Sequence, residues 1–77
     1  MITAAAIREN SGTIHIGKTH VEIIKAAIRA GMIEDFEEGF ITQEGKFVNR
    51  REAAIIAFNC GQIKEQLFEL RSQDLSL

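Results

Sequence analysis

Hydrophobic and polar positions alternate near the start of the chain. An extended run from Ile2 to Arg8 is followed by a polar turn and a second run, from Thr13 to Gly17. In the second run Ile14 and Ile16 point to one face of the strand and His15 points to the other. This alternation is typical of a half-buried strand. The pattern predicts a hairpin of two strands with His15 on the exposed side.

A helix is predicted next. Thr19 and Glu22 have the spacing of a capping box, in which each side chain accepts a hydrogen bond from the other residue's amide. Gly31 suits the left-handed conformation that ends many helices. The polar stripe Glu22, Lys25 and Arg29 is expected to face water, and the mostly apolar remainder is expected to pack.

The second half of the chain repeats this arrangement. Residues 39–42 and 46–48 surround a Gln43-Glu44-Gly45 turn and predict a second hairpin. Asn49 is expected to cap a second helix, with Glu52 completing a capping box, and this helix should end near Gly61. The chain is therefore predicted to form an α+β fold, a small antiparallel sheet of two hairpins with two helices packed on it.

The second helix is apolar almost all round. Every residue from Ala53 to Phe58 is apolar, and Cys60 extends the run. A small domain cannot cover all faces of such a helix with its own sheet, so we expect a homo-oligomer built partly on this helix. The alternative is that the tail, residues 63–77, folds over it.

Length and composition limit the remaining possibilities. Seventy-seven residues fit one domain, residues 1–77, and one cysteine excludes an internal disulfide. A net charge of -2 gives no strong attraction to DNA, RNA or anionic lipid. No apolar run is long enough to span a membrane, and the N-terminus lacks the basic leader of a secretion signal. We expect a cytoplasmic protein that needs no cofactor or metal.

Few residues have the spacing that catalysis requires. Cys60 is predicted to be a small buried hydrophobe, because a helix C-terminus disfavours a thiolate. No carboxylate or hydroxyl stands at a telling spacing from His15 or His20, and a packing or ligand role is open for His20. The acidic residues of 33–38 lack the spacing of a calcium loop and are predicted to form a solvated loop. Catalysis is therefore not expected.

Anion binding is the chemistry that the sequence favours most. Asn49-Arg50-Arg51 opens a helix, where free amides and arginines favour phosphate. Phe40 and Phe47 on the preceding hairpin could provide a ring for base stacking. Lys18 lies close before the first helix, although Gly17-Lys18-Thr19 lacks the earlier glycine of a phosphate loop.

Taken together, these segments resemble a group of small phage-type proteins. The matching motifs are Gly17-Lys18-Thr19-His20, residues 39–42, residues 45–50 followed by Glu52-Ala53-Ala54, Gly61-Gln62, and the tail residues 72–75. They cover nearly the whole chain. Within that group the chain resembles the first type of Thoeris anti-defence "sponge" proteins.

This resemblance implies a protein that assembles as a dimer or hexamer. Its pockets would sequester cyclic ADP-ribose isomers between subunits, or cyclic oligonucleotides in separate pockets, without hydrolysis in an infected bacterial cell. Position by position, the resemblance carries the ligand-binding role to these residues: Lys18, His20, Phe40, Asn49, Arg50, Gln62, Ser72 and Asp74. Thr19 and Gln73 depart from the family pattern, because each replaces a charged residue.

Two other functions compete with the sponge. A small phage or host protein-binding inhibitor, or an accessory subunit, would use the acidic loop and the surplus apolar helix face. A small hydrolase would use His15 or His20 and ranks below both.

Overall fold

Two hairpins join through their first strands to form one antiparallel sheet. The computed structural model describes residues 1–31 and 35–75. The strands run in the order β2-β1-β3-β4. They are β1 (Ile2–Glu9), β2 (Ile14–Gly17), β3 (Phe36–Thr42) and β4 (Phe47–Asn49), with helices α1 (His20–Arg29) and α2 (Arg50–Asn59) and a 3₁₀ turn at Ser72–Asp74. The predicted α+β architecture, with two hairpins and two helices, is confirmed.

The strand register gives the sheet two distinct faces. Ala6 of β1 lies between Ile16 of β2 and Gly39 of β3, and Phe40 lies beside Val48 of β4. The register between β1 and β3 shifts between Ile2 and Ala4. Such a shift changes which face successive side chains reach. As a result Ile2 joins the same core as Ala5 and Ile7.

One face of the sheet packs against both helices. Its large side chains Ile7 and Phe40 are fully buried, and Gly17 of β2 lies directly beneath Ile23 of α1. From α2, three alanines pack closely against this face: Ala53, Ala54 and Ala57. Their small side chains bring the helix near the strands. We call this the inner face.

No helix of the described chain covers the opposite face, which we call the outer face. Ile14 and Ile16 of β2 lie on it and are 41% and 59% exposed. His15 instead points to the inner side, where it is half-buried and forms an ion pair with Glu9. The prediction that His15 is the exposed member of this strand is wrong. His15 pairs with Ile7 of β1, and because paired residues point to the same face of a sheet, His15 lies on the inner face with Ile7.

Both helices begin as predicted, although one cap is simpler. The Thr19 hydroxyl accepts a hydrogen bond from the Glu22 amide, and the reciprocal bond is absent among the described contacts. At α2 both halves of the capping box are present between Asn49 and Glu52. The expectation that the rest of α1 packs is wrong for Val21, which lies exposed beside the polar stripe.

The tail folds over α2, as the alternative interpretation of the sequence held. Ile63 and fully buried Leu70 belong to the core, and Leu67 packs against it. The Leu70 amide donates to the Arg50 carbonyl, 3.0 Å away, which fixes the tail to the start of α2. The tail thus supplies part of the burial for which we expected a second subunit, and oligomerisation stays a prediction.

Two further predictions are corrected. Cys60 is exposed, because it caps the end of α2 and the chain turns away after it. The acidic segment is not a loop: Glu37 and Glu38 belong to β3 and make ion-pair contacts. Asp35 precedes the strand, whereas Glu34 lies outside the described residues.

Among the described residues, no helix is both long enough and apolar enough to cross a membrane.

We predict that Leu70→Ala lowers the free energy of unfolding by about 2–5 kcal/mol, because it removes a fully buried side chain and leaves a cavity. Phe68→Ala, two residues earlier on the exposed side of the tail, should change it by less than about 1 kcal/mol. Urea unfolding followed by circular dichroism measures both. Equal losses for the two variants would contradict the docked tail.

Candidate ligand-binding site

A cleft opens where β4 ends and α2 begins. β4 stops at Asn49, opposite Gly39, so β3 continues beyond its neighbour and Phe36–Glu38 pair only with β1. The space beside this free edge has a volume of about 310 Å³. It is lined by Glu37, Glu38, Asn49, Arg50, Arg51 and Glu69.

Gly39 brings the strands close together at the base of this cleft. A Cβ atom at Gly39 would meet the Val48 carbonyl oxygen and the Phe47 ring. The Phe47 ring therefore lies across Gly39 on the outer face, where the Arg8 guanidinium stacks 4.5 Å from its centroid. Phe47 is thus already occupied by a cation and lies on the other side of the sheet from His20.

Arg50 connects the cleft to the tail. Its Nε donates to the Leu70 carbonyl at 2.9 Å, while the Leu70 amide donates to the Arg50 carbonyl. The two terminal nitrogens of the guanidinium have no hydrogen-bond partner among residues 1–31 and 35–75. Arg50 therefore has one structural bond and two donor groups left for a ligand.

The cleft contains charges of both signs. Its lining includes the two arginines Arg50 and Arg51 and three carboxylates, those of Glu37, Glu38 and Glu69. Glu37 is paired with Arg8 at 2.7 Å. Such a site suits a ligand that combines anionic groups with hydroxyl or amino donors better than it suits a simple anion.

His20 is buried at the inner side of the same region. Its Nε2 donates to the Gly39 carbonyl at 2.8 Å, and its ring meets Phe40 edge-on with centroids 5.0 Å apart. Nδ1 lies 3.8 Å from a Glu38 carboxylate oxygen. The hydrogen bond to Gly39 therefore ties the start of α1 to β3.

Ser72 approaches His20 through the backbone only. Its Oγ accepts from the His20 amide at 3.4 Å. The ring of His20 is directed at Gly39, so it does not take the Ser72 proton. The described residues also contain no group of three or more potential metal ligands. No described contact pairs a nucleophile with a base here.

Asp74 is held as a carboxylate. Its partial burial acts to raise its pKa, but the Arg71 amide and side chain donate hydrogen bonds to it, and the charges of Arg71 and Arg50 add to their effect. Together these interactions hold the pKa of Asp74 below its ordinary value.

The structure brings together four of the residues that the resemblance selected. His20 contacts Ser72, and Arg50 acts electrostatically on Asp74. The start of α1, the start of α2 and the 3₁₀ turn therefore meet on one side of the molecule. Phe40 lies beneath them, but it is fully buried in the core and offers no surface for stacking.

Of the other selected residues, Asn49 lines the cleft with Arg50, Gln62 lines a different cleft with Asp74, and Lys18 lines neither. Gln62 exchanges two hydrogen bonds with the Ile2 backbone. Ile2 and Ala6, the latter beside Gly39, are four residues apart on β1, a separation of roughly 13 Å. Lys18 is exposed just before α1, and the Asn49 side-chain oxygen is used in the α2 cap.

Glu38, Glu69 and Leu70 were missed in the sequence. The sequence pattern predicts a solvated loop at Glu38, because it does not indicate that β3 begins as early as Phe36. The spacing of Ile63, Leu67 and Leu70 is a usable sign that the tail packs, since all three belong to or contact the core. No sequence signal places Glu69 beside Arg51.

Comparison with known proteins gives one family. A family model described as "Phage T4 y16D protein" matches residues 1–75. Neither the curated proteins nor the solved structures contain a match.

We predict that Asp74→Asn destabilises the fold more at pH 7 than at pH 3. A carboxyl whose pKa is lowered in the folded state contributes stability above its ordinary pKa of about 3.9, and this contribution is lost as the pH falls through the lowered value. Urea unfolding of both proteins at the two pH values measures the difference. The same difference at pH 3 and pH 7 would show that the charge of Asp74 does not matter.

Proposed function

The chain belongs to the phage T4 y16D protein family, and we propose that it binds and sequesters a cyclic nucleotide immune signal without hydrolysing it. Cyclic ADP-ribose isomers are the first candidates, and cyclic oligonucleotides are the second. The protein would lower the free concentration of the signal in an infected cell. It would need no cofactor.

The main support for this proposal is the position of the Arg50 side chain. Its guanidinium lies at the start of α2 with two donor nitrogens unused among the described contacts. A phosphate accepts charge-assisted hydrogen bonds from such a group, and the free amides of a helix start favour the same charge. Because Leu70 holds the Nε, the guanidinium is already oriented before a ligand arrives.

The carboxylates of the cleft narrow the ligand class. Glu38 and Glu69 repel a simple anion but accept hydrogen bonds from ribose hydroxyls and from the amino group of adenine. A cyclic nucleotide carries both phosphates and such donors. Stacking on Phe40, expected from the sequence, has no part in the proposal, because that ring is buried.

Retention without turnover is part of the proposal. The His20 ring is hydrogen-bonded to the Gly39 carbonyl, and Ser72 contacts only its backbone. A hydrolase needs a base within reach of an attacking group. Glu38 and Glu69 line the cleft, but no described contact pairs either carboxylate with a nucleophile, and the proposal assigns them to ligand binding.

The proposal includes a homodimer or larger homo-oligomer that forms through the outer face. This face exposes Ile14 and Ile16, whereas the inner face already holds both helices. Glu37 reaches the outer face beside Arg8 and also lines the cleft. A second copy on the outer face would therefore stand next to the open side of the cleft.

The protein-binding inhibitor remains the second candidate. Its acidic loop does not exist as predicted, since Glu37 and Glu38 lie in β3. The apolar surface of α2 is nevertheless present, because Ile55 and Phe58 are exposed after the tail has docked.

We predict that Arg50→Ala weakens binding of the ligand on the order of 10- to 100-fold, as expected for loss of charged hydrogen bonds. Isothermal titration calorimetry with cyclic ADP-ribose isomers and cyclic dinucleotides measures it. Arg29→Ala removes an exposed arginine from the end of α1 and is the matched control.

Arg50 also holds the tail, so the thermal unfolding of each variant is recorded beside the titration. Unchanged affinity in a folded Arg50→Ala protein would contradict the proposed phosphate contact.

We predict that Ile16→Lys weakens self-association at least tenfold, because burying an isoleucine side chain contributes about 1.5–3 kcal/mol and a charge opposes burial. Val21→Lys is the control: Val21 is 62% exposed on α1, similar to Ile16, but lies on the other side of the sheet. Sedimentation velocity over a concentration series measures both. If Ile16→Lys associates like the wild type, the outer face is not the interface.

A further inference from the structure

A second cleft lies between α2 and the tail, and it shares Arg51 with the proposed nucleotide site. It has a volume of about 380 Å³ and is lined by Arg51, Ile55, Gln66, Leu67 and Phe68. Phe68 is 72% exposed and Ile55 is 58% exposed. We call this surface the Phe68 cleft.

An arginine and a phenylalanine form one wall of the Phe68 cleft. The Arg51 guanidinium lies 4.4 Å from the centroid of the Phe68 ring. This stacking is a cation–π contact, which uses the face of the guanidinium and leaves its N–H edges free. Within the described chain Arg51 makes no hydrogen bond or ion pair, so those donors are available to a partner.

The apolar part of the cleft continues along α2. Arg51, Ile55 and Phe58 are spaced i, i+4 and i+7 and therefore form one stripe. This stripe is directed away from the core residues Ala53 and Ala57 of the helix. It covers roughly 10 Å along the axis, which is the length of three residues of an extended peptide.

The charge of the Phe68 cleft identifies its occupant. Its lining contains one cation and, among the described residues, no carboxylate. A partner that fits both the Arg51 side chain and the apolar lining of the cleft has a carboxylate beside a large apolar side chain. The carboxylate would pair with the edge of Arg51, while the side chain would lie on Phe68 and Ile55.

We propose that the Phe68 cleft binds a peptide segment of another protein in which Asp or Glu stands next to an aromatic or large aliphatic residue. Aromatic and arginine side chains are the residues that most often dominate such interfaces. This surface shares Arg51 with the cleft beside Arg50, and its other lining residues are separate from that cleft.

A peptide library tests the specificity. The probe is a set of nine-residue peptides with a fixed central phenylalanine or leucine and all amino acids at the flanking positions. The wild-type protein should select Asp or Glu at a position next to the fixed residue. Arg51→Glu should change that selection to Lys or Arg at the same position, because the sign of the charge is reversed.

Affinity for the best selected peptide tests the aromatic contact. Phe68→Ala should weaken binding at least tenfold in fluorescence polarisation. Ile28→Ala, an exposed apolar side chain on α1, should leave it unchanged. Circular dichroism confirms that each variant is folded, and Phe68 is exposed enough for its substitution to be tolerated.

Three outcomes would overturn this proposal. The first is a library in which no flanking residue is enriched. The second is a selection that Arg51→Glu and Phe68→Ala leave intact. The third is sedimentation that changes from oligomer to monomer on Phe68→Ala, which would show that a second copy of the chain covers the cleft.

Discussion

The contact between the tail and the start of α2 is the interaction on which the rest of the molecule depends. Leu70 and Arg50 exchange two hydrogen bonds, one between their backbones and one from the arginine side chain. Leu70 is fully buried at this point. A domain of this size buries little surface, so a single docked segment is a large part of its stability.

The same contact determines which groups are available for binding. Because Leu70 fixes the Nε of Arg50, the guanidinium is oriented at the helix start without the entropy cost of ordering it later. Beyond Leu70 the tail contains Ser72, which accepts a hydrogen bond from the start of α1. It also contains Asp74, whose pKa is lowered in part by the charge of Arg50. Stability and the candidate site therefore share one set of residues.

Most of the secondary structure can be predicted from the sequence, because turns and helix caps depend on residues that are close together along the chain. Turn residues marked both hairpins, and Thr19 and Asn49 have the side chains that cap helices. Which face of a strand is buried depends on pairing with a neighbour. For that reason the orientation of Ile16 and the partial burial of His15 were predicted wrongly.

The candidate site was only partly predictable. Arg50 could be named because a helix start and an arginine are adjacent in sequence, whereas Glu69 reaches the cleft only through the fold of the tail. Gln62 is a different case. It matched a family motif, yet its amide holds the Ile2 backbone instead of facing the cleft.

Native mass spectrometry of the wild-type protein with cyclic ADP-ribose isomers and cyclic dinucleotides tests the central claim most directly. The account predicts an oligomer that retains one of these ligands in a fixed ratio to subunits and releases it chemically unchanged on heating. An oligomer or monomer that retains none of them, or that releases a hydrolysed product, would contradict sequestration as the function.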